Sequence, residues 1–328
     1  MTQLRAVLVR QNGGPEVLEP TEVDPPEAGP GSLVVDVAAA GVNFIDTYQR
    51  EGRYPVPTPF VPGLEGAGTV RAVGDGVTEI QVGDRVAWVH VPGSYAEQAL
   101  IPADLAVPIP DGVSDEFAAA LLLQGITAHY LATSTYPVQP GDWVVVHAAA
   151  GGVGRLLTQV VKLRGGHVLA TTSTPEKAEL ARSAGADVTT GYDDFAERAH
   201  ELTGGRGVAC VYDGVGKSTF DASVKALRPR GMLVLFGAAS GPVPPLDPQQ
   251  VLSGNGSLFL TRPLVADYIA DRKERLTRTR DVLTWVADGK LDVHIGARYP
   301  LAEARRAHED LEARRTTGKV LLLTGPSV

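Results

Sequence analysis

The chain has 328 residues, more than one ordinary hydrophobic core supports, so about two domains are expected. Its 44% apolar content suits a water-soluble globular enzyme; no apolar run approaches the ~18 residues of a membrane span, and the opening MTQLRAVLVR lacks a signal-peptide core, so a cytoplasmic protein with no membrane partner is expected. A formal net charge of −8 argues against a nucleic-acid partner, and a single cysteine, Cys210, excludes an internal disulfide and any zinc site built from several thiolates.

Residues 1 to about 120 carry short β-type runs at 4–9, 33–38, 68–73, 85–89 and 96–101, broken by proline and glycine, which predict a partly open β-barrel. From Asp115 an alanine- and leucine-rich helix runs through Leu123, and the texture then changes to alternating strands and helices. Strands are expected at 143–147, 167–172, 208–212, 232–236 and 257–261, with a helix from Thr174-Pro175 to Ala184 and a charged helix at 274–287. Such alternation predicts an α/β fold with an open, doubly wound parallel sheet that binds ligands at the carboxyl ends of its strands. A last β run occupies 320–323.

The most informative stretch is GDWVVVHAAAGGVGRLLTQVVK, from Gly141 to Lys162. A buried strand leads into the turn Ala148, Ala149, Ala150, Gly151, Gly152, Val153 and Gly154, and then into a helix whose Leu156, Leu157, Val160 and Val161 share one side. Gly151 allows backbone to approach a pyrophosphate and Gly154 lets the helix pack on the strand, with the first helical N–H groups and the helix dipole facing the phosphates. The dinucleotide fingerprint G-x-G-x-x-G is met as A-x-G-x-x-G; a bare structural turn is the competing reading. An NAD-selective unit places an acid about 20 residues past the glycines, but here the second strand ends in Thr172-Ser173-Thr174 with Lys177 close behind. Hydroxyls beside an ammonium suit a 2′-phosphate and predict NADPH over NADH, unless Lys177 is a solvated helix lysine paired with Glu176 or Glu179. His147 is read as a packed strand residue and Cys210 as a buried, inert thiol.

Taken together, Gly41-Val42-Asn43-Phe44-Ile45-Asp46-Thr47-Tyr48, Gly63-Leu64-Glu65-Gly66-Ala67-Gly68, Gly83-Asp84-Arg85-Val86, Gly93-Ser94-Tyr95-Ala96-Glu97, the glycine-rich stretch with Gln159 and Lys162, Val211-Tyr212-Asp213-Gly214-Val215-Gly216 and Thr261-Arg262-Pro263 cover nearly the whole chain in order. In these motifs the chain resembles the medium-chain dehydrogenase/reductase superfamily, and within it the quinone oxidoreductase, or zeta-crystallin-like, group. The resemblance implies a GroES-like catalytic domain over residues 1–122, completed by 290–328, around a Rossmann NADPH-binding domain over 123–289, and a homodimer. Alcohol dehydrogenases of the superfamily hold zinc with a cysteine after the Gly-Val step and a histidine beside the glutamate; here those places are Asn43 and Leu64, so no metal is expected.

The resemblance also implies roles for individual residues. Asn43 would hydrogen-bond the acceptor or position the cofactor, and Tyr48 and Tyr54 would form an aromatic wall to the substrate from which either phenol donates a hydrogen bond or a proton; packing within the domain is the alternative. Thr127 would meet the nicotinamide or cap a helix. Ser173, Lys177 and Tyr192 would line the adenosine-phosphate pocket, Gly237 and Ala238 would let the ribose and nicotinamide pass close, and Phe259 to Arg262 would be the matching segment, where Thr261 or backbone groups would meet the carboxamide. Arg262 is either a substrate-side donor or pairs with a carboxylate; Gly318 and Lys319 lie near the cofactor. The expected function is zinc-independent hydride transfer from NADPH to a quinone. Its rivals are an NADPH-dependent enone or enal reductase and a low-turnover NADPH-binding protein with a structural or RNA-binding role.

Overall fold

The short apolar runs at the start of the chain form strands in the computed structural model, which describes residues 3–325. In order they are β1 (Leu4–Leu8), β2 (Glu19–Val23), β3 (Ser32–Val42), α1 (Phe44–Arg50), β4 (Glu65–Val73), β5 (Arg85–Val89), β6 (Gln98–Pro102) and β7 (Val107–Pro108). The alternating region gives α2 (Asp115–Tyr130), β8 (Trp143–Val146), α3 (Gly152–Leu163), β9 (His167–Thr171), α4 (Pro175–Ser183), β10 (Val188–Thr190), α5 (Phe195–Leu202), β11 (Val208–Asp213), α6 (Phe220–Ala226), β12 (Leu227–Leu235), α7 (Pro248–Val251), β13 (Phe259–Thr261), α8 (Val265–Ile269) and α9 (Arg272–Ala287). Then follow β14 (Ile295–Pro300), α10 (Ala304–Glu312) and β15 (Lys319–Leu323). The chain divides into two compact units: one runs to Leu123 and resumes at Val293, and the other is Gln124–Asp292.

In the first unit, β3 is the long member of a sheet ordered β14-β15-β3-β4-β5-β7, and β6 also pairs with β3. It serves several neighbours because bulges between Val34/Val35 and Val37/Ala39 bend it, so that its first half pairs with β6 and its last residues with β15. The ends at β14 and β7 stay unjoined, which leaves the barrel open. Val35, Val37, Trp88, Tyr95, Ile101 and Leu322 are among the side chains that fill its core.

In the second unit, six parallel strands lie in the order β10-β9-β8-β11-β12-β13, so the direction of winding reverses between β8 and β11. This is the doubly wound Rossmann order with its switch point at β8. Both faces are covered, and the strands accordingly read as continuous apolar runs. Leu156, Leu157, Val160 and Val161 of α3 are buried as their spacing requires, each contributing about 1.5–3 kcal/mol of burial free energy.

One helix departs from expectation. It does not stop at Leu123 but continues to Tyr130, because every residue from 121 to 130 is buried, Gln124, Thr127 and His129 included. A helix buried all round carries no amphipathic stripe by which its end could be read. Thr127 therefore lies inside the helix, and the capping alternative for it is overturned. Strands β2, β7, β10 and β14, and several short helices, were not expected; β14 alternates only weakly between half-buried and exposed positions. Among the described residues, no helix is long and apolar enough to cross a membrane.

Candidate functional site

The turn after β8 is shaped by its own backbone. Ala148 takes the left-handed conformation at φ 50°, and Gly151 caps α3 without any side-chain acceptor, so no side chain of the cap takes up the first-turn N–H groups of the helix. A Cβ on Gly154 would lie 2.4 Å from Ala148 O and 2.8 Å from Ala149 Cα. Only glycine permits that approach, and it brings the start of α3 onto the turn. Ala149 and Ala150 are buried while Gly151, Gly152 and Val153 keep part of their surface open, as a backbone seat for an anion requires. Beneath it His147 is fully packed: Nδ1 contacts Thr171 Oγ1 at 2.8 Å and Nε2 contacts Ser223 Oγ at 2.9 Å. Ser223 gives its one proton to Asp213 Oδ2, so the imidazole donates from Nε2 and accepts at Nδ1. Burial holds its pKa down to about 4, a neutral structural histidine as expected.

Asp213, at the end of β11, was missed as an organising residue. Its Oδ1 accepts from Val215 N and Gly216 N at 2.8 and 2.9 Å, and its Oδ2 accepts from Thr219 Oγ1 and Ser223 Oγ at 2.7 and 3.1 Å. One buried carboxylate thus shapes the loop beside the switch point. Of the other residues of the expected cofactor seat, Ser173, Tyr192, Gly237 and Thr261 lie at or just beyond the ends of β9, β10, β12 and β13. Thr174 caps α4, accepting from Lys177 N at 3.3 Å; Ser173 is exposed and Lys177 half-buried. Tyr192 lies 5.9 Å from the His147 ring. Gly237 follows β12, with its N–H 3.4 Å from Asp213 O, and Ala238 comes next. Phe259 opens β13 with 55% of its surface exposed, and Thr261, which closes the strand, is half-buried. Arg262 donates to Leu235 O at 2.8 Å and Gly237 O at 3.2 Å, fastening the ends of β12 and β13 together. Of the signature residues in α3, Lys162 grips both oxygens of Asp187 at 2.8 Å and Gln159 exchanges hydrogen bonds with the backbone of Asp292.

The first unit brings Asn43, Glu65 and Lys319 into contact, residues scattered through the sequence. Lys319 and Glu65 have fully buried side chains and form an ion pair. The Lys319 ammonium also donates to Asn43 Oδ1 at 2.9 Å, and Asn43 Nδ2 donates to Glu65 Oε1 at 2.7 Å. Leu123 N donates to Glu65 Oε2 at 2.8 Å, so both carboxylate oxygens are occupied. Lys319 is therefore tied into the protein interior rather than standing as an open cation. Asn43 starts α1, where its own N–H donates to Asp46 Oδ2 at 2.8 Å.

Behind Asp46 runs a directed chain of donors. Arg50 has only protons to give, so His308 Nδ1, 3.1 Å away, accepts; Nε2–H then donates to Tyr95 Oη at 3.1 Å, and Tyr95 donates to Asp46 Oδ2 at 3.0 Å. Arg50 is itself held by Glu312 at 2.8 and 3.1 Å. Burial, with Arg50 alongside, lowers the His308 pKa to about 3. Burial raises Asp46 to about 7 against these donors, and its Oδ1 has no partner among the described residues. Tyr48 and Tyr54 meet edge to face at 5.6 Å, and the Arg53 guanidinium lies 4.9 Å from the Tyr48 ring centre. The two tyrosines meet across the turn that follows α1, where Tyr54 N donates to Tyr48 O at 3.2 Å; the Asp46–Tyr95–His308 chain carries no local signal, since its members meet only through the sheet and α10.

These donors do not fit a zinc ion. Leu64 has no ligand atom, Asn43 is engaged through both ends of its amide, and Glu65 is saturated by Lys319, Asn43 and Leu123. Among the described residues no group of three or more His, Cys, Asp or Glu could hold a metal.

Residues 29–111 match the family model of the alcohol dehydrogenase GroES-like domain, and residues 152–267 that of zinc-binding dehydrogenases. A quinone oxidoreductase from Pseudomonas aeruginosa is 46% identical over 95% of this chain and 97% of its own length. A 2-haloacrylate reductase from a Burkholderia species is 40% identical over 97% of this chain and 98% of its own. The structure of a mycobacterial protein complexed with NADPH superposes with a TM-score of 0.95 at 51% identity, covering 98% of this chain and 99% of that one. With this agreement over almost its full length, the chain belongs to the quinone oxidoreductase group of the medium-chain dehydrogenase/reductase superfamily.

Proposed function

We propose that this chain is a zinc-independent NADPH:quinone oxidoreductase. The observation that carries the reading is the turn at the switch point of the Rossmann sheet, where Gly154 lets α3 close onto Ala148 and the first-turn amides lack a side-chain cap. Its support from relatives is the quinone oxidoreductase at 46% identity and the mycobacterial structure with NADPH. In this reading Ala150 to Gly154 seat the pyrophosphate, and Ser173, Lys177 and Tyr192 take the 2′-phosphate end. Thr127, Gly237, Phe259 and Thr261 border the rest of the dinucleotide. Bound NADPH supplies the hydride; Asn43, Tyr48 and Tyr54 position the acceptor, and solvent delivers the proton. Lys319 acts through Asn43, fixing its amide. Arg262 serves as a strand-end clamp, which counts against a substrate role.

Following oxidation of NADPH and NADH against 1,4-benzoquinone and a simple enone, with and without a chelator, tests the reading. NADPH is expected to be the better donor, the quinone the better acceptor and the chelator inert. Equal binding of NADH, or loss of turnover to the chelator, would overturn it. The Burkholderia relative favours a second reading, reduction of a conjugated carbon–carbon double bond, and faster turnover of the enone would establish it. We also place the protein in the cytoplasm as a homodimer. The single, buried cysteine supports the first. The edge strand β13, with Phe259 exposed, supports the second, which light scattering tests.

A further inference from the structure

His90 follows β5 in an unusual state. Val89 faces Glu65 in the β4–β5 register, and Val91 N donates to Leu64 O at 3.2 Å, which puts His90 across from Leu64 and one step along the strand from Glu65. Its backbone is left-handed at φ 63°, a conformation that histidine reaches but does not prefer. The ring is half-buried. Nδ1 is fully covered and has no hydrogen-bond partner among the described residues, whereas Nε2 is not among the covered atoms. Burial lowers the pKa of the group, so the imidazole is neutral at pH 7. A proton on Nδ1 would be a buried donor with no acceptor, so the ring carries it on Nε2, at the open edge. This describes a neutral, preset N–H donor with strained backbone beneath it, one residue past the strand partner of Glu65 and with no side-chain hydrogen bond among the described residues.

We propose that His90 contacts the acceptor, its Nε2–H hydrogen-bonding the carbonyl oxygen on which negative charge develops. The proposal rests on the quinone-reductase reading above. In the step it serves, NADPH is oxidised to NADP⁺ as its hydride joins the quinone; the resulting quinol anion takes a proton from water. His90 keeps its own proton, since giving it up would leave an imidazolate.

Glycine at this position relieves the left-handed backbone and removes the donor, so the two roles separate. His90→Gly is expected to melt at the same temperature or higher and to bind NADPH within twofold of wild type, while kcat/KM for 1,4-benzoquinone falls at least about tenfold. A wild-type kcat/KM in this variant would make His90 a turn residue only and overturn the proposal. Wild-type protein gives a second measurement that needs no variant. Diethylpyrocarbonate should modify His90, read by peptide mass, and hydroquinone added to the NADP⁺-loaded protein should protect it; modification undiminished by hydroquinone would also sink the idea. Wild-type protein that fails to oxidise NADPH with 1,4-benzoquinone present would refute the underlying reading instead.

Discussion

Between Ala148 and Gly154 the chain uses small residues to bring backbone close to backbone; around Asn43, Glu65 and Lys319 it packs charged and polar side chains against one another. The turn is made by neighbouring residues and depends on a clearance, the 2.4 Å that a Cβ on Gly154 would leave to Ala148 O. The trio is made by residues 22 and 254 positions apart and depends on pairing, because a buried ion is costly unless it is matched. A seat for phosphates needs backbone N–H groups and a close approach, which one short segment can supply. A dry polar anchor needs partners from several strands, which only the folded sheet supplies. The two regions should therefore fail differently when cut.

The largest effect is expected at the trio. Lys319→Met leaves the Glu65 carboxylate buried without its cation and should destabilise the first unit by about 3–5 kcal/mol in urea unfolding. Adding Glu65→Leu should recover most of that loss, because an apolar pair of similar volume needs no desolvation. If the double variant is no more stable than Lys319→Met, the trio is not held by charge pairing and the contrast with the turn collapses.

Asp46 sharpens the same side through pH. Its folded pKa of about 7 lies above the ordinary 3.8, so the native state holds an extra proton between those values. The stability this gives is complete below the unfolded value and is lost as pH rises toward 7. Relative to Asp46→Asn, wild type should lose roughly 1 kcal/mol per pH unit at the steepest part of that window. His147, with a pKa held down to about 4, shares no partner with Asp46 and penalises both proteins alike as pH falls below the ordinary 6.5, so it cancels from the difference between the two curves. A difference that does not change with pH would mean that the donors from Tyr95 and Asn43 keep Asp46 ionised.

At the turn the expected losses are smaller and discriminating. Gly154→Ala presses a methyl group against backbone on two sides, which cannot yield cheaply, and should cost about 1–3 kcal/mol along with NADPH binding. Gly152→Ala presses first on the Gln124 amide, at 2.0–2.3 Å, the far end of a side chain rather than backbone. Melting curves with and without NADPH should rank Gly154→Ala well below Gly152→Ala; equal losses would remove the case that close approach at residue 154 shapes the seat.

The same contrast explains what the amino-acid order revealed. The strand, turn and helix from Trp143 to Leu163 were legible because periodicity and glycine spacing are local, and so was the Thr174 cap on α4. Five strands of the seven-stranded sheet, β3 to β6 and β15, were legible as short runs but not in their pairing, since β3 joins β15 across most of the chain length. Lys319 was singled out for a place near the cofactor, yet nothing local tells that its ammonium turns inward to Glu65. The end of α2 was misplaced because tertiary burial, not a cap or a stop signal, carries it to Tyr130.

The smallest expected effect concerns Lys177, which tests whether the turn's unit chooses its dinucleotide by charge as well as by shape. Lys177 is half-buried in the first turn of α4, where the helix dipole adds to its own positive charge. Against it stands Glu176, exposed and kept ionised to lower pH by the Thr174 hydroxyl that it engages. A 2′-phosphate placed here gains one cation and meets one carboxylate, so a modest net attraction follows. Lys177→Ala should weaken NADPH binding by about tenfold at low ionic strength, less at high salt, and leave NADH unchanged. Fluorescence titration of both dinucleotides at two salt concentrations measures this. If NADH weakens in step with NADPH, Lys177 supports the fold of α4 rather than reading the phosphate, and preference for the phosphorylated cofactor must come from the hydroxyls of Ser173 and its neighbours.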